Sequence, residues 1–152
     1  MAKYHFFWQS QSPFSNWYNK PFIYKGKTFV CSEQAMMYEK ALLFKDAEIA
    51  AEILLSKNPK DQKALGRKIR NFNDKIWNTK KYSIVKEILT AKFSDPVLKK
   101  ILLKYKGYEL VEASPYDRIW GIGYEEKDAL DNIDNWGKNL LGVILTELSN
   151  EL

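Results

Sequence analysis

The spacing of apolar residues changes along this chain, and each change marks an element. Over the first thirty residues, aromatic positions such as Tyr4-His5-Phe6-Phe7-Trp8 alternate with turn signals at Ser12-Pro13 and Asn19-Lys20-Pro21. Phe22-Ile23-Tyr24 and Thr28-Phe29-Val30, placed around Lys25-Gly26-Lys27, predict a short β-hairpin. From Ser32 the period becomes helical. Ser32 reads as the N-cap of a helix to about Phe44, and Asp46 as the cap of a second with Ile49, Ile53 and Leu54 on one face. Pro59 opens a third that ends near Gly66-Arg67. Between about Asn73 and Phe93, the positions Tyr82, Val85, Ile88, Leu89 and Phe93 describe a longer helix. Asp95-Pro96 opens another, closed by Gly107. Tyr108 to Ala113 alternates as a strand, Ser114-Pro115-Tyr116-Asp117 is a turn, and Leu140 to Leu148 is a final helix. The predicted class is α+β, helix-rich with a small β-sheet, and without a repeat or long linker residues 1–152 are expected to form a single domain.

Composition narrows the chemistry. With 45% hydrophobic and 28% charged residues over 152 positions, the chain is of globular type. One cysteine, Cys31, excludes an internal disulfide framework and a multi-cysteine zinc site, and fits a reducing, cytoplasmic setting. No apolar stretch approaches the roughly 18 residues of a membrane span, and Met1 to Ser10 carries no secretory pattern. The net charge of +5 favours anionic partners without choosing among them. Histidine is the sharper count. His5 stands alone, so a Ser-His-Asp triad or a His/Cys metal centre would rest on that one residue. Catalysis is therefore expected on carboxylates, lysine, tyrosine or fixed hydrogen bonds.

Three stretches place polar groups where packing alone does not ask for them. Ser12-Pro13-Phe14-Ser15-Asn16-Trp17-Tyr18 can form a stacking wall with hydrogen-bonding groups, or a loop whose aromatics fold into the core. Cys31-Ser32-Glu33-Gln34 puts Glu33 in a first helical turn, where a negative charge is favoured by the helix dipole or can be aimed into a cleft. Leu110-Val111-Glu112-Ala113-Ser114-Pro115-Tyr116-Asp117-Arg118-Ile119-Trp120-Gly121-Ile122-Gly123 feeds a strand into a turn bearing an acid, a base, a tryptophan and two glycines. Asp117 can equally cap that turn. Arg67, after Leu65-Gly66, carries a guanidinium that matches phosphate oxygens, while Lys57, Lys60, Lys63 and Lys68 read as a solvated face. Gly137-Lys138-Asn139-Leu140-Leu141-Gly142 lacks the spacing and ending of a nucleotide P-loop.

Taken in order, these pieces resemble the NADAR superfamily, which includes the YbiA-like N-glycosidases. The resemblance adds Met36-Met37 with Lys40-Ala41, Lys63-Ala64-Leu65-Gly66-Arg67, Trp77, Ala91-Lys92-Phe93, Leu110-Val111-Glu112-Ala113 and Trp136-Gly137-Lys138-Asn139 to the three stretches. Ala35 stands where the family usually has a larger aromatic, and the late arginine after Gly142 is missing. The resemblance implies hydrolysis of a C–N glycosidic bond at a ribose, with no metal and no cofactor expected. The substrate would be ADP-ribose linked to guanine in nucleic acid, or a ribosylaminopyrimidine phosphate of riboflavin synthesis; a binding module without turnover is the alternative. It further implies Glu33, Trp77 and Asp117 as catalytic residues. Asn16, Lys40, Arg67, Trp120, Gly121 and Asn139 are expected to contact substrate.

Overall fold

The structure, a computed structural model, describes residues 2–152. They divide into two compact units: Asn16–Lys92 form one, and the N-terminal segment to Ser15 with Phe93–Leu152 forms the other.

The Asn16–Lys92 unit opens with the expected hairpin, β2 (Phe22–Tyr24) antiparallel to β3 (Lys27–Phe29), with Phe22 opposite Phe29. Lys25 and Gly26 both take positive φ, +49° and +78°, as a two-residue hairpin turn requires. Four helices follow: α1 (Ser32–Leu43), α2 (Ala47–Leu55), α3 (Pro59–Gly66) and α4 (Asp74–Lys92). Asp46 caps α2 through Ile49 N–H, and Asn58 caps α3 through Lys60 N–H with Pro59 in the first turn.

The start of α1 departs from expectation. Cys31, not Ser32, is the N-cap, and it makes no side-chain cap bond. The N–H of Glu33 instead donates to the carbonyl of Asn16 at 2.9 Å. Gln34 reaches back to accept the N–H of Val30 at 2.8 Å, and its amide donates to the carbonyls of Ile53 and Ser56. Seven consecutive residues from Cys31 to Met37 are buried, so α1 is the hub against which α2, α3 and α4 pack. Gly66 lets α3 approach closely, because a Cβ there would meet the sulfur of Met37. Met36 and Met37 are core residues.

In the other unit, β1 (Tyr4–Phe7) pairs in parallel with β4 (Glu109–Glu112), Tyr4 opposite Glu109 and Phe7 opposite Glu112. The predicted small sheet is thus two separate two-stranded sheets. Apolar spacing did not mark β1, because four aromatic rings in succession hide the strand period. Helix α5 (Pro96–Lys104), capped by Asp95, packs on α7 (Leu140–Glu151), which in turn covers β4. A short α6 (Glu126–Ala129) and a 3₁₀ helix (Leu130–Asn135), neither expected, fill the stretch before Trp136. Val111, Ile122 and Ala129 form a core cluster with Tyr4, Phe6, Tyr124 and Trp136 around it. Among the described residues, no helix is long and apolar enough to cross a membrane.

Candidate active site

Five of the nine expected site residues lie in the Asn16–Lys92 unit: Asn16, Glu33, Lys40, Arg67 and Trp77. Glu33 sits in the first turn of α1 and is only 5% exposed. Its Oε1 accepts the indole N–H of Trp17 at 3.0 Å. Helix polarity favours negative charge at that end, so the carboxylate is supported by dipole and donor together.

Asn16 holds this arrangement from beneath. Its carbonyl accepts from the Glu33 N–H, and its side-chain Oδ1 accepts the hydroxyl of Ser32 at 2.8 Å. Asn16, expected to contact substrate, thus also braces the turn that carries Glu33. Trp17 belongs to the aromatic stretch Ser12–Tyr18, and nothing in its spacing links its N–H to a carboxylate sixteen residues on.

Lys40 follows Glu33 by seven residues, two turns or about 10 Å along the same face of α1. Its ammonium lies 4.6 Å from the Phe72 ring centroid and 5.6 Å from that of Trp77. Burial pulls its pKa below the ordinary lysine value. Glu33 and Asp74 oppose that shift, and Arg67 adds to it. Trp77 is 7% exposed in the first turn of α4, and Arg67 is exposed at the end of α3. Phe72 and Asp74 join the cluster unannounced by sequence, since neither stands in a recognisable motif. The group combines a buried acid, a partly buried cation, an aromatic wall and a guanidinium.

Asp117, Trp120, Gly121 and Asn139 lie in the other unit. Asp117 Oδ1 accepts the N–H groups of Ile119 and Trp120, both at 2.8 Å, so the carboxylate caps its own turn. The turn is then laced to the start of α7. The N–H groups of Lys138, Asn139, Leu140 and Leu141 donate to the carbonyls of Arg118, Gly121, Ile119 and Trp120. The first amides of α7 are satisfied this way, without a side-chain cap.

Asn139 takes left-handed backbone angles and turns its amide onto β4, accepting from Glu112 N–H at 2.9 Å and donating to Leu110 C=O at 3.0 Å. Gly121 is required by close approach to the protein itself. A Cβ there would stand 2.8 Å from the Glu112 carbonyl and 3.1 Å from that of Asp117. Among the described residues, no three His, Cys, Asp or Glu side chains gather as metal ligands.

Residues 6–152 match the family model of the NADAR domain, so the chain belongs to the NADAR family. It is 42% identical to N-glycosidase R617 of Acanthamoeba polyphaga mimivirus over 146 residues, covering 91% of this chain and 86% of that protein. It is also 42% identical over 129 residues to protein irg-1 of Caenorhabditis elegans, covering 82% of this chain and 61% of the length of irg-1. The solution structure of the Escherichia coli protein YbiA superposes with a TM-score of 0.80 at 28% identity, over 99% of this chain and 86% of that one. The helix-rich α+β class is that of YbiA.

Proposed function

We propose that the chain is a hydrolase of N-glycosyl bonds, acting at a ribose, with Glu33 as the carboxylate of the reaction. The observation that carries this reading is the buried Glu33, fixed by the indole N–H of Trp17 and braced by Asn16 at a helix start. Breaking the C1′–N bond leaves its electron pair on the departing nitrogen and positive charge over C1′ and the ring oxygen. A carboxylate held in place stabilises that charge. Water then adds its oxygen at C1′ and gives one proton to the carboxylate, which returns a proton through solvent to the departing nitrogen and is ionised again. Trp77 and Phe72 supply a wall for stacking, and Lys40 and Arg67 supply cations for phosphate oxygens. Asp117 and Trp120 keep the roles that the resemblance implies, a second carboxylate and a pocket wall. Asn139 and Gly121 serve as the frame of that turn.

Charge supports a nucleic-acid-borne ADP-ribose over a free ribosylaminopyrimidine phosphate. Residues 16–92 carry sixteen Lys and Arg against eight Asp and Glu, whereas the rest of the chain has eight against eleven. The basic excess therefore belongs to the unit with Glu33. It includes the exposed Lys60, Lys63, Arg67 and Lys68 on and after α3. One small phosphate needs fewer cations than this; a strand of phosphates uses them and makes binding fall steeply with salt.

The test incubates the protein with a guanine-linked ADP-ribosylated oligonucleotide and, separately, a ribosylaminopyrimidine phosphate. Released base and ribosyl product are followed by mass spectrometry. Release from the oligonucleotide, absent in a folded Glu33→Gln variant, is expected. Release from the aminopyrimidine alone overturns the substrate choice, and retention of ligand without release makes the chain a binding module.

A further inference from the structure

We propose that a pocket at the carboxyl ends of β1 and β4 binds a planar nitrogen heterocycle bearing an exocyclic amino group. The cavity measures about 360 Å³, the size of a small-molecule site, and all of its lining lies within one compact unit. It is built from His5, Phe7 and Trp8 of β1 and its continuation, Ser12 of the following turn, Ala113 just past β4, and Glu126 of α6. Parallel strands present their carboxyl ends as ligand sites because the chain leaves the sheet there and opens a crevice. Here the two ends are held together by the Ala113 N–H donating to the Phe7 carbonyl at 2.8 Å. Ala113 adds almost no side chain, which leaves the crevice open.

The walls select the occupant. Trp8 is half-buried and its ring lies tilted by 54° to that of Tyr116, so Tyr116 does not stack flat on it. Tyr116 itself is 88% exposed, a large ring at the edge of the tryptophan without a covering partner surface. An aromatic face of this kind suits a flat heterocycle, since every base offers a π-surface. His5 is already immobilised, stacked on Tyr105 at 3.8 Å and set edge-on to Phe14 at 5.7 Å, so little freedom is lost when a ligand meets it. Burial pulls the imidazole below its ordinary pKa, with Glu126 opposing that shift, so at neutral pH the neutral ring is favoured. The remaining charge at the pocket is the carboxylate of Glu126. It repels phosphate and accepts hydrogen bonds from an amino group. The pocket is thus matched to the base end of a nucleoside and not to its phosphate end. This inference is independent of the role given to Glu33, since it concerns binding without turnover.

His5 is the one histidine in the chain, so its ring signals in a proton–carbon NMR spectrum report on this pocket alone. The full-length protein is titrated with guanosine and with inosine, which differ by one amino group, at pH 7.5. Guanosine is expected to shift the His5 signals saturably, and inosine to bind at least about tenfold more weakly, the worth of one hydrogen bond to a charged acceptor. Trp8→Ala is expected to abolish saturation. Glu126→Ala, at an exposed position that cannot disturb the core, is expected to bring guanosine down to the inosine level. Failure of guanosine to saturate the His5 shift, or equal binding of the two nucleosides by the unsubstituted protein, overturns the proposal. So does undiminished discrimination in Glu126→Ala, which holds even if Trp8→Ala fails to fold.

Discussion

The indole N–H of Trp17 donates to Oε1 of Glu33, in the first turn of α1, at 3.0 Å. Two residues sixteen apart are thereby made into one group, an acid with a fixed orientation. A carboxylate that must face developing charge gains most when its rotamer is set before substrate arrives. Trp17→Phe keeps a ring of similar bulk and removes only the donor. Turnover is expected to fall by about tenfold or more, in line with roughly 1.5–3 kcal/mol for a hydrogen bond to a charged group. KM should change much less than kcat, and the melting temperature should fall by several degrees as the buried carboxylate loses this donor. Unchanged turnover would show that the indole has no part in orienting Glu33.

Asp117 separates structure from chemistry by the choice of replacement. Its Oδ1 caps Ile119 and Trp120, and Asn offers an oxygen at the same place. Asp117→Asn is therefore expected to keep the fold, whereas Asp117→Ala should lose about 0.5–2 kcal/mol through the missing cap. If Asp117 also acts on substrate as a carboxylate, Asn lowers kcat by at least tenfold at unchanged stability. Full activity in a stable Asp117→Asn variant would leave it with the turn alone. Steady-state kinetics and urea unfolding of both variants decide this.

The glycine beside that turn answers a related question. Gly121 presses on the Glu112 carbonyl, and a methyl group would stand 2.8 Å from that backbone atom. Backbone paired in a strand yields poorly, so Gly121→Ala is expected to cost about 1–3 kcal/mol by overpacking. A normal unfolding midpoint with weakened substrate binding would instead show that Gly121 contacts substrate.

Helices were legible in the sequence because their signals are local. Asp46, Asn58-Pro59 and Asp95-Pro96 each mark a helix start with a side-chain oxygen or a fixed φ, and α2, α3 and α5 begin there. The N-cap of α1 lies one residue before the cap its sequence suggests, since the N–H of Glu33 is satisfied by the Asn16 carbonyl and not by a side-chain cap. The parallel pairing of β1 with β4 joins residues about a hundred positions apart, and no local rule encodes such a partner. Among site residues, Glu33 and Asp117 stood out as acids in unusual settings. Trp17, Phe72 and Asp74 did not, because their part depends on which side chains the fold brings near them. The bonds of the Asn139 amide to β4 were hidden for the same reason, since they join it to residues nearly thirty positions earlier.

Lys92 closes α4 at 1% exposure, with its ammonium 5.8 Å from the ring centroid of Tyr18. Burial pulls its pKa down to about 7, while Cys31 acts in the opposite direction. Burial likewise pushes the thiol of Cys31 up to about 11, the nearby Glu33 and backbone N–H groups acting with and against it. Between about pH 7 and 9, then, the folded amine is largely neutral while the unfolded one is protonated. The unfolded chain binds more protons, so the lysine makes stability rise with pH, by up to about 1.4 kcal/mol per pH unit. Above about pH 9 the unfolded thiol ionises and the folded one does not, so Cys31 contributes a fall that offsets the rise. Urea midpoints measured from pH 6.5 to 10.5 are expected to climb and then flatten. Lys92→Met fills the same space without a charge to desolvate. It should remove the climb below pH 9 and leave only the decline above it. Parallel curves for the two proteins would mean that Lys92 keeps its proton in the folded state, held by partners strong enough to outweigh its burial.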